Sequence, residues 1–543
     1  MSAEKGAKYS NDSDGEQIFV SQPDKVEYVN AESEKHDIKE DVTGANSNLT
    51  SVDDDEEDDD KPKDHYINLP ESLQHMTQEE LKELDRKTTR KIDFRLLPMM
   101  MFIYILNFLD RTNITNARLD TLEADLKLVG NQYQVCISIL FVGYILFQVP
   151  ANMILNKFGR PSIFITVVMT TWGAISTVTG AVQNYAGLAA TRVFLGVAES
   201  AFFCSALMIL SMWYDKKSLA TRNTLLFAGN PLSSAFSGLL AAGILKMGGL
   251  GGIAGWRWLF ILEGGITVLA VPFAYFVLPD KPANTKFLSQ QETDIIQWKL
   301  RQDLGDVGDS DAEARVTTWQ GFKLAIKDEK MWMVTGQLST LVCACGIVNF
   351  FPTIVATLNF NRTVTLCLTA PPYLLAVPVS YYWARHADKT GERSFHILIP
   401  LAVTTISFVI PVATTNFAAR YFSYCIMIPG IIGAYVVIIT WMPNSCPRPP
   451  AKRAVSIALM IGLSNSPYTW TAFLYPLSDG PRYIKGMSCN IAFLVMAIIL
   501  TVMLRIRLKQ LNKKIENGTM DWQKELGEGN DGSKIDADFR YLY

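Results

Sequence analysis

Between Leu96 and Leu504 the chain is a succession of apolar runs, each about twenty residues long and separated by short polar turns. A helix rises 1.5 Å per residue, so a run of about 20 residues matches the roughly 30 Å hydrocarbon layer of a bilayer. That match sets the fold class: an all-α membrane protein with twelve transmembrane helices. The overall composition, 49% hydrophobic and 19% charged, understates this because the charges crowd into the first ninety residues.

The spacing predicts spans near 96–114, 133–155, 161–182, 185–212, 223–246 and 257–278. A second set follows near 332–357, 364–383, 395–415, 420–442, 453–475 and 488–506. The segments are then a disordered acidic tail over 1–92, a six-helix bundle over 93–279, a polar connector over 280–330, a second six-helix bundle over 331–507 and a tail over 508–543. Within the first tail the run Asp53 to Asp60 is self-repelling and solvated. Thr77 to Arg95 reads as a basic amphipathic lead-in, with Thr77-x-x-Glu80 as a capping box before Leu81, Leu84, Ile92 and Phe94. In the connector, Ser289-x-x-Glu292 is a second capping box, followed by an apolar face of Ile295, Ile296 and Leu300.

Several function classes drop out. None of the eight cysteines makes a C-x-x-C pair, and no His, Cys and carboxylate cluster has metal-ligand spacing, so no metal, cofactor or disulfide framework is expected. A membrane-embedded transferase would need a catalytic His/Asp pair or metal-binding carboxylates; His386 and His396 flank a turn without such company, so the chain is not expected to be an enzyme. Nothing points to nucleic acid. No signal-peptide pattern precedes the first span.

Lys and Arg favour one set of connectors: Lys157 and Arg160; Lys216, Lys217 and Arg222; Arg385, Lys389 and Arg393; Lys452 and Arg453. Cationic loops stay inside. Both tails are therefore expected in the cytoplasm, with the plasma membrane as the expected location and an internal membrane such as the endoplasmic reticulum as the alternative. The sequons at Asn113 and Asn361 would face outward but lie against the membrane boundary, and glycosylation is expected at neither.

The turn after the second span, Asn152-Met-Ile-Leu-Asn156-Lys157-Phe-Gly159-Arg160-Pro161, repeats after the eighth as Ala384-Arg385-His386-Ala387-Asp388-Lys389-Thr390-Gly391-Glu392-Arg393. Asn156-Lys-Phe-Gly159 aligns over Asp388-Lys-Thr-Gly391 without gaps, and each turn joins spans two and three of its own half. These stretches resemble the G-x-x-x-D-R/K-x-G-R-R/K signature of the major facilitator superfamily. The second copy keeps the acid, the base and the glycine; the first has Asn152 for glycine and Asn156 for the acid. The resemblance implies two six-helix bundles that rock about a substrate site at the membrane midplane, with Asn156, Lys157, Gly159 and Arg160 in one cytoplasmic gating turn and Asp388, Lys389, Gly391 and Arg393 in the other.

Ionisable groups inside apolar spans are functional candidates. Tyr104, Asn107 and Arg111 lie at i, i+3 and i+7, one helical face, with Asp110 beside them. That stripe is expected to line a cavity; the alternative is a helix end at the headgroups. Arg192 and Glu199 are seven residues apart, so both point one way with about 10 Å between them along the axis. They suggest an anion clamp beside a proton site, or a structural ion pair. Arg257 sits between aromatic anchors as a structural residue, and Glu263 is read as structural rather than coupling. The second half offers Asn349, Tyr373, Asn465, Ser466 and Tyr468, with Pro371-Pro372 and Pro467 as kink-makers.

Leu-Asp110-Arg111-Thr-Asn-Ile, Arg192-x6-Glu199 and Gly-Trp256-Arg-Trp-Leu-Phe-Ile-Leu-Glu263-Gly resemble the anion:cation symporter family. Phe351-Pro-Thr-Ile-Val, Ala370-Pro-Pro-Tyr373, Pro481-Arg-Tyr-Ile-Lys-Gly486 and Phe539-Arg-Tyr-Leu-Tyr543 are similar to its fungal allantoate and nicotinic acid permease branch. The resemblance implies a proton-coupled symporter importing a small organic anion, nicotinate-like or another monocarboxylate, by alternating access. Asp110 and Glu199 would be protonation sites, and Arg111 and Arg192 would answer to the substrate carboxylate or to those acids. Tyr104, Asn107, Tyr373 and Asn465 complete the expected binding site. The partners are then the anion, protons and the lipid bilayer, with the chain acting as a monomer. A transporter-like nutrient sensor that signals through its tails is the alternative.

Overall fold

In the computed structural model the described residues are 69–158, 160–282, 285, 287–305, 317–526 and 539–543. They are helical throughout, and no strand occurs among them. The helices of the first half are α1 (Gln78–Ala117), α2 (Gln132–Phe158), α3 (Pro161–Thr179), α4 (Tyr185–Trp213), α5 (Gly229–Ile244, led in by Lys216–Phe227) and α6 (Gly255–Val277). Those of the second half are α7 (Glu329–Cys345), α8 (Arg362–Thr390), α9 (Ser394–Ala413), α10 (Phe417–Ser445), α11 (Pro450–Ser464) and α12 (Ile484–Glu516). Among the described residues ten helical stretches are long and apolar enough to cross a membrane. The other two places are held by α2 and α11, so twelve helices form in two sets of six.

Local sequence explains where they start. Thr77 and Glu80 form the capping box of α1, each side chain meeting the other's backbone N–H. Pro161 and Pro450 stand in the first turns of α3 and α11, where a missing N–H costs nothing. Asn184, Asn361 and Asn416 cap α4, α8 and α10 through their side-chain oxygens. Asn361 is thus a helix cap, and Asn113, the other sequon expected to face outward, is wholly buried in α1.

Some expected boundaries move. The lead-in and the first span are one helix, so α1 crosses the expected tail boundary at residue 92. Its polar first turns are held by the connector: Lys91 pairs with Glu292 at 2.8 Å and Asp85 with Lys299 at 2.8 Å. The connector helix Gln290–Gly305 is capped reciprocally by Ser289 and Glu292 and buries Ile295 and Ile296. Likewise α12 runs past residue 507 to Glu516 because Leu508 and Leu511 remain buried. The seventh and eleventh spans are not continuous α-helices. After Cys345 the chain tightens into a 3-10 stretch, Gly346–Phe350, before Phe351–Ala356; after Ser464 it passes into 3-10 turns at Ser466–Thr469 and Thr471–Leu474. Pro467, with no N–H to donate, sits in the second break.

We call the membrane face that carries the start of α1 and the connector the tail side. There, Gly391 ends α8 with φ +68°, a left-handed conformation that favours glycine, and Arg393 pairs with Asp388 at 2.7 Å. Lys389 is exposed, as is Arg160 at the start of α3. The side chains of Asn156 and Lys157, and Gly159 altogether, lie outside the described residues.

Close helix crossings rest on glycine. A Cβ at Gly196 in α4 would overlap the Leu140 carbonyl oxygen of α2, and one at Gly143 would come within 2.6 Å of the Val193 oxygen. Between the halves, a Cβ at Gly238 of α5 would run into Thr369 of α8. Small residues let backbones touch where lipid offers no hydrophobic drive to pack. Gly196→Leu is therefore expected to cost at least about 3 kcal/mol and to abolish a monodisperse, detergent-stable protein. Gly265→Ala, whose added methyl meets nothing within 4 Å, should leave the melting temperature within about 2 °C. Size-exclusion profiles and thermal unfolding of the two purified variants check this.

Candidate functional site

A cavity of about 180 Å³ lies between the halves. It is smaller than the roughly 300–1,000 Å³ of drug-sized pockets. From α1 come Tyr104, Asn107 and Arg111, the stripe expected from their spacing; from the second half come Tyr373 of α8 and Asn465 just past α11. The break in the seventh span presents Asn349 and the break in the eleventh presents Asn465 and Tyr468. Irregular backbone at membrane depth is tolerated where it borders such a cavity. The remaining walls are largely apolar, both aromatic, as at Phe141, Tyr144 and Tyr435, and aliphatic, as at Ile431, Ile439 and Ile461, and Phe141 stacks on Tyr468 at 4.6 Å across the two halves.

Arg111 is the one charged side chain among the described lining residues. Its guanidinium meets a single oxygen of Glu199 through both Nε and a terminal nitrogen at 2.7 Å. The Glu199 side chain is completely buried, and its other oxygen has no partner among the described residues. Phe108 and Tyr144 lie 4.8 and 5.0 Å from the same guanidinium. The cation is thus held by one carboxylate and aromatic faces, an arrangement that leaves donors free for a second anion.

The other expected residues stand behind this pair. Arg192 does share the buried face of α4 with Glu199, but it does not line the cavity: one terminal nitrogen donates to the Arg111 carbonyl at 3.3 Å and its guanidinium lies 5.4 Å from the Phe260 ring. Asp110 is completely buried and does not line the cavity. Ser176 of α3 donates to one of its oxygens at 2.5 Å and Thr267 of α6 to the other at 2.8 Å, so it ties three helices together. Glu263 is also buried, and neither of its oxygens has a hydrogen-bond partner within normal geometry among the described residues. Arg257 donates to the Gly180 carbonyl at 2.8 Å.

Asn230 in the first turn of α5 lines the cavity and was not anticipated. A signal existed: Asn230-Pro231 interrupts an otherwise apolar run. The Arg111–Glu199 meeting had no such signal, because the partners are 88 positions apart.

Away from the tail side the halves are joined above the cavity. Asp120, just after α1, accepts from the Trp256 N–H at 2.8 Å with one oxygen and is ion-paired through the other to Arg362, at the start of α8. Arg362 also donates to the Leu245 carbonyl at 3.2 Å. Arg118 lies over Tyr133 at 4.0 Å and 5.8 Å from Phe350 of the other half.

Two six-helix halves around a small cavity with one paired cation have the architecture of a membrane transporter. Residues 100–466 match the Major Facilitator Superfamily, and the chain belongs to that family. It is 30% identical over 465 residues to the high-affinity nicotinic acid transporter of Saccharomyces cerevisiae, covering 85% of each chain. It is 28% identical over 446 residues to the major facilitator-type transporter hxnP of Emericella nidulans, covering 80% of this chain and 88% of that one. Among solved structures, an inward-facing bacterial homolog of the human lysosomal transporter Spinster aligns with a TM-score of 0.60 at 14% identity, over 76% of this chain and 96% of that one. The proton:xylose symporter XylE aligns at 0.59 and 13%, over 76% and 95%.

The Asp120–Arg362 pair generates a prediction. Asp120→Asn or Arg362→Gln alone should raise labelling of Cys345, a native cavity-lining thiol, roughly threefold or more with a membrane-impermeant reagent applied from the side opposite the tail side. The charge-exchanged pair, Asp120→Arg with Arg362→Asp, should return it toward the wild-type rate, read by mass spectrometry at that residue.

Proposed function

We propose that the chain is a proton-coupled symporter that carries a small organic anion, and that within its superfamily it falls in the anion:cation symporter family, in the fungal allantoate and nicotinic acid permease branch. The observation that carries this reading is Arg111, the one charged group among the described residues of a cavity with several aromatic walls, paired with Glu199 buried behind it. A charge taken out of water is tolerated only beside an opposite charge. When Glu199 takes up a proton, Arg111 loses its counter-charge and a substrate carboxylate replaces it. When the anion leaves, Arg111 draws Glu199 back into its charged form and the proton departs. One cation serving two alternative anions couples the two movements.

The aromatic walls suit a flat ring beside the carboxylate, and the relative named for nicotinic acid transport supports a nicotinate-like monocarboxylate. Tyr104, Asn107, Tyr373 and Asn465 supply hydrogen-bonding groups around it. Arg192, bonded to the Arg111 carbonyl, sets the position of α1. Asp110 is a second protonatable group, and it acts through α3 and α6 because its bonds run there. In this reading the tail side faces the cytoplasm, as the Lys and Arg bias of the connectors suggests, the turns at Asn156–Arg160 and Asp388–Arg393 gate that face, and a monomer in the plasma membrane is the working unit.

Uptake of labelled nicotinate and a panel of other carboxylates, in a host without its own permeases, tests the reading. Arg111→Gln should lower uptake roughly a hundredfold, since it removes the anion's partner and strands Glu199. Glu199→Gln should retain binding but lose the dependence on the pH gradient; full retention of that dependence would remove Glu199 from the coupling.

A further inference from the structure

Two lysines are buried at the tail side of the second half. Lys330 in the first turn of α7 and Lys452 in the first turn of α11 each have a side chain only 1% exposed. Asp328, the residue before α7 and 4% exposed, reaches both, at 3.5 and 2.7 Å. Burial alone would push the Asp328 carboxyl up; the two ammonium groups outweigh it and hold the carboxyl below its ordinary range. Two ammonium groups against one carboxylate still leave a net positive charge out of water, which is strongly unfavourable. The missing negative charge comes from beyond α12. Glu525, in the short helix Trp522–Leu526, meets Lys330 at 2.5 Å and Lys452 at 3.0 Å, and its backbone carbonyl accepts from Lys452 at 3.1 Å.

A second piece of the chain docks beside it. The Tyr541 N–H donates to the Asn512 side-chain oxygen and the Tyr541 carbonyl accepts from the Asn512 amide, both at 2.9 Å. Asn512 therefore clasps a peptide unit in both directions, as a neighbouring strand would. Tyr541 is only 3% exposed, and its ring lies 4.8 Å from the Lys330 ammonium. The Leu542 carbonyl accepts from the Trp441 indole at 2.9 Å, and the Tyr543 carbonyl from the backbone N–H of Arg393 at 3.2 Å.

We propose that the tail side of the second half is a binding site for an acidic, aromatic peptide, and that its occupant is the chain's own tail, Glu525 and Phe539–Tyr543. Lys330, Lys452 and Asp328 read the carboxylate; Asn512, Trp441 and Lys330 read the peptide around Tyr541. The occupant touches α7, α10, α11 and α12 and reaches Arg393, in the turn between α8 and α9, whose side chain pairs with Asp388 in the last turn of α8. It acts as a strap that joins the ends of these helices to that turn. The inference is independent of what the cavity carries.

Hydrogen–deuterium exchange on the full-length protein in nanodiscs tests it. In the wild type the amides of Tyr541 and Arg393 should be protected together. Glu525→Gln should accelerate exchange in both the 539–543 and the 391–396 peptides by about tenfold or more, and the charge-balanced pair Glu525→Gln with Lys452→Gln should slow both again. Tyr541→Ala, which leaves the four charges in place, should release both peptides and serves where Glu525→Gln does not fold. Wild-type exchange in Glu525→Gln, no recovery in the balanced pair, or continued protection of 391–396 in Tyr541→Ala would each overturn the proposal.

Discussion

A charge in the low-dielectric interior of a membrane protein is stable only beside an opposite charge, and the first half is arranged around one such pair. Arg111 of α1 and Glu199 of α4 neutralise each other at the cavity wall. Everything near them serves their geometry. Arg192 bonds the backbone of Arg111, and Asp110, one residue earlier, pins α1 to α3 and α6. Breaking a buried pair by removing one partner costs ~3–5 kcal/mol, so whatever competes for Arg111 must bring a negative charge, and whatever competes for Glu199 must bring a proton or a cation. The chemistry of the cavity is confined by that rule before any substrate is considered.

The second half contributes differently. It brings no charge to the described cavity wall, but it brings two breaks in helical geometry, at Gly346–Phe350 and Ser466–Thr469, that turn Asn349, Asn465 and Tyr468 toward the space between the halves. Its charges gather at the tail side, where Lys330, Lys452, Asp328 and Glu525 balance. The halves themselves are held by close contact of α5 with α8, by aromatic stacking between α2 and the break after α11, and by the Asp120–Arg362 pair. The three differ in kind: one is glycine-mediated, one aromatic and one ionic.

Much of the architecture was legible in advance. The apolar runs gave the helix count, the duplicated turns marked the two halves, and the i, i+3, i+7 spacing put Tyr104, Asn107 and Arg111 on one face. The capping boxes at Thr77 and Ser289 formed as written, because a cap depends only on residues three apart. Boundaries were less legible. The first span fused with its amphipathic lead-in because the connector supplies Glu292 and Lys299 from some two hundred positions away, and the eleventh shortened at Asn465. The role of Arg192 was legible as burial and charge but not as direction: spacing along α4 says that it shares a face with Glu199, not which of its neighbours that face meets.

Local spacing and apolar length therefore determined the class of the molecule: a membrane-spanning helical protein in two repeated halves, with the acidic groups buried within its spans concentrated in the first. These properties follow from interactions within one helix or between a helix and lipid, and such interactions are short in sequence. Tertiary packing alone decided that Glu199 pairs with Arg111 and not with Arg192, that Asp110 faces Ser176 and Thr267 instead of the cavity, and that Glu525 completes a site begun by Lys330 and Lys452. Each of those partners comes from a different helix, and no periodicity along one segment encodes which surfaces of two helices will face each other.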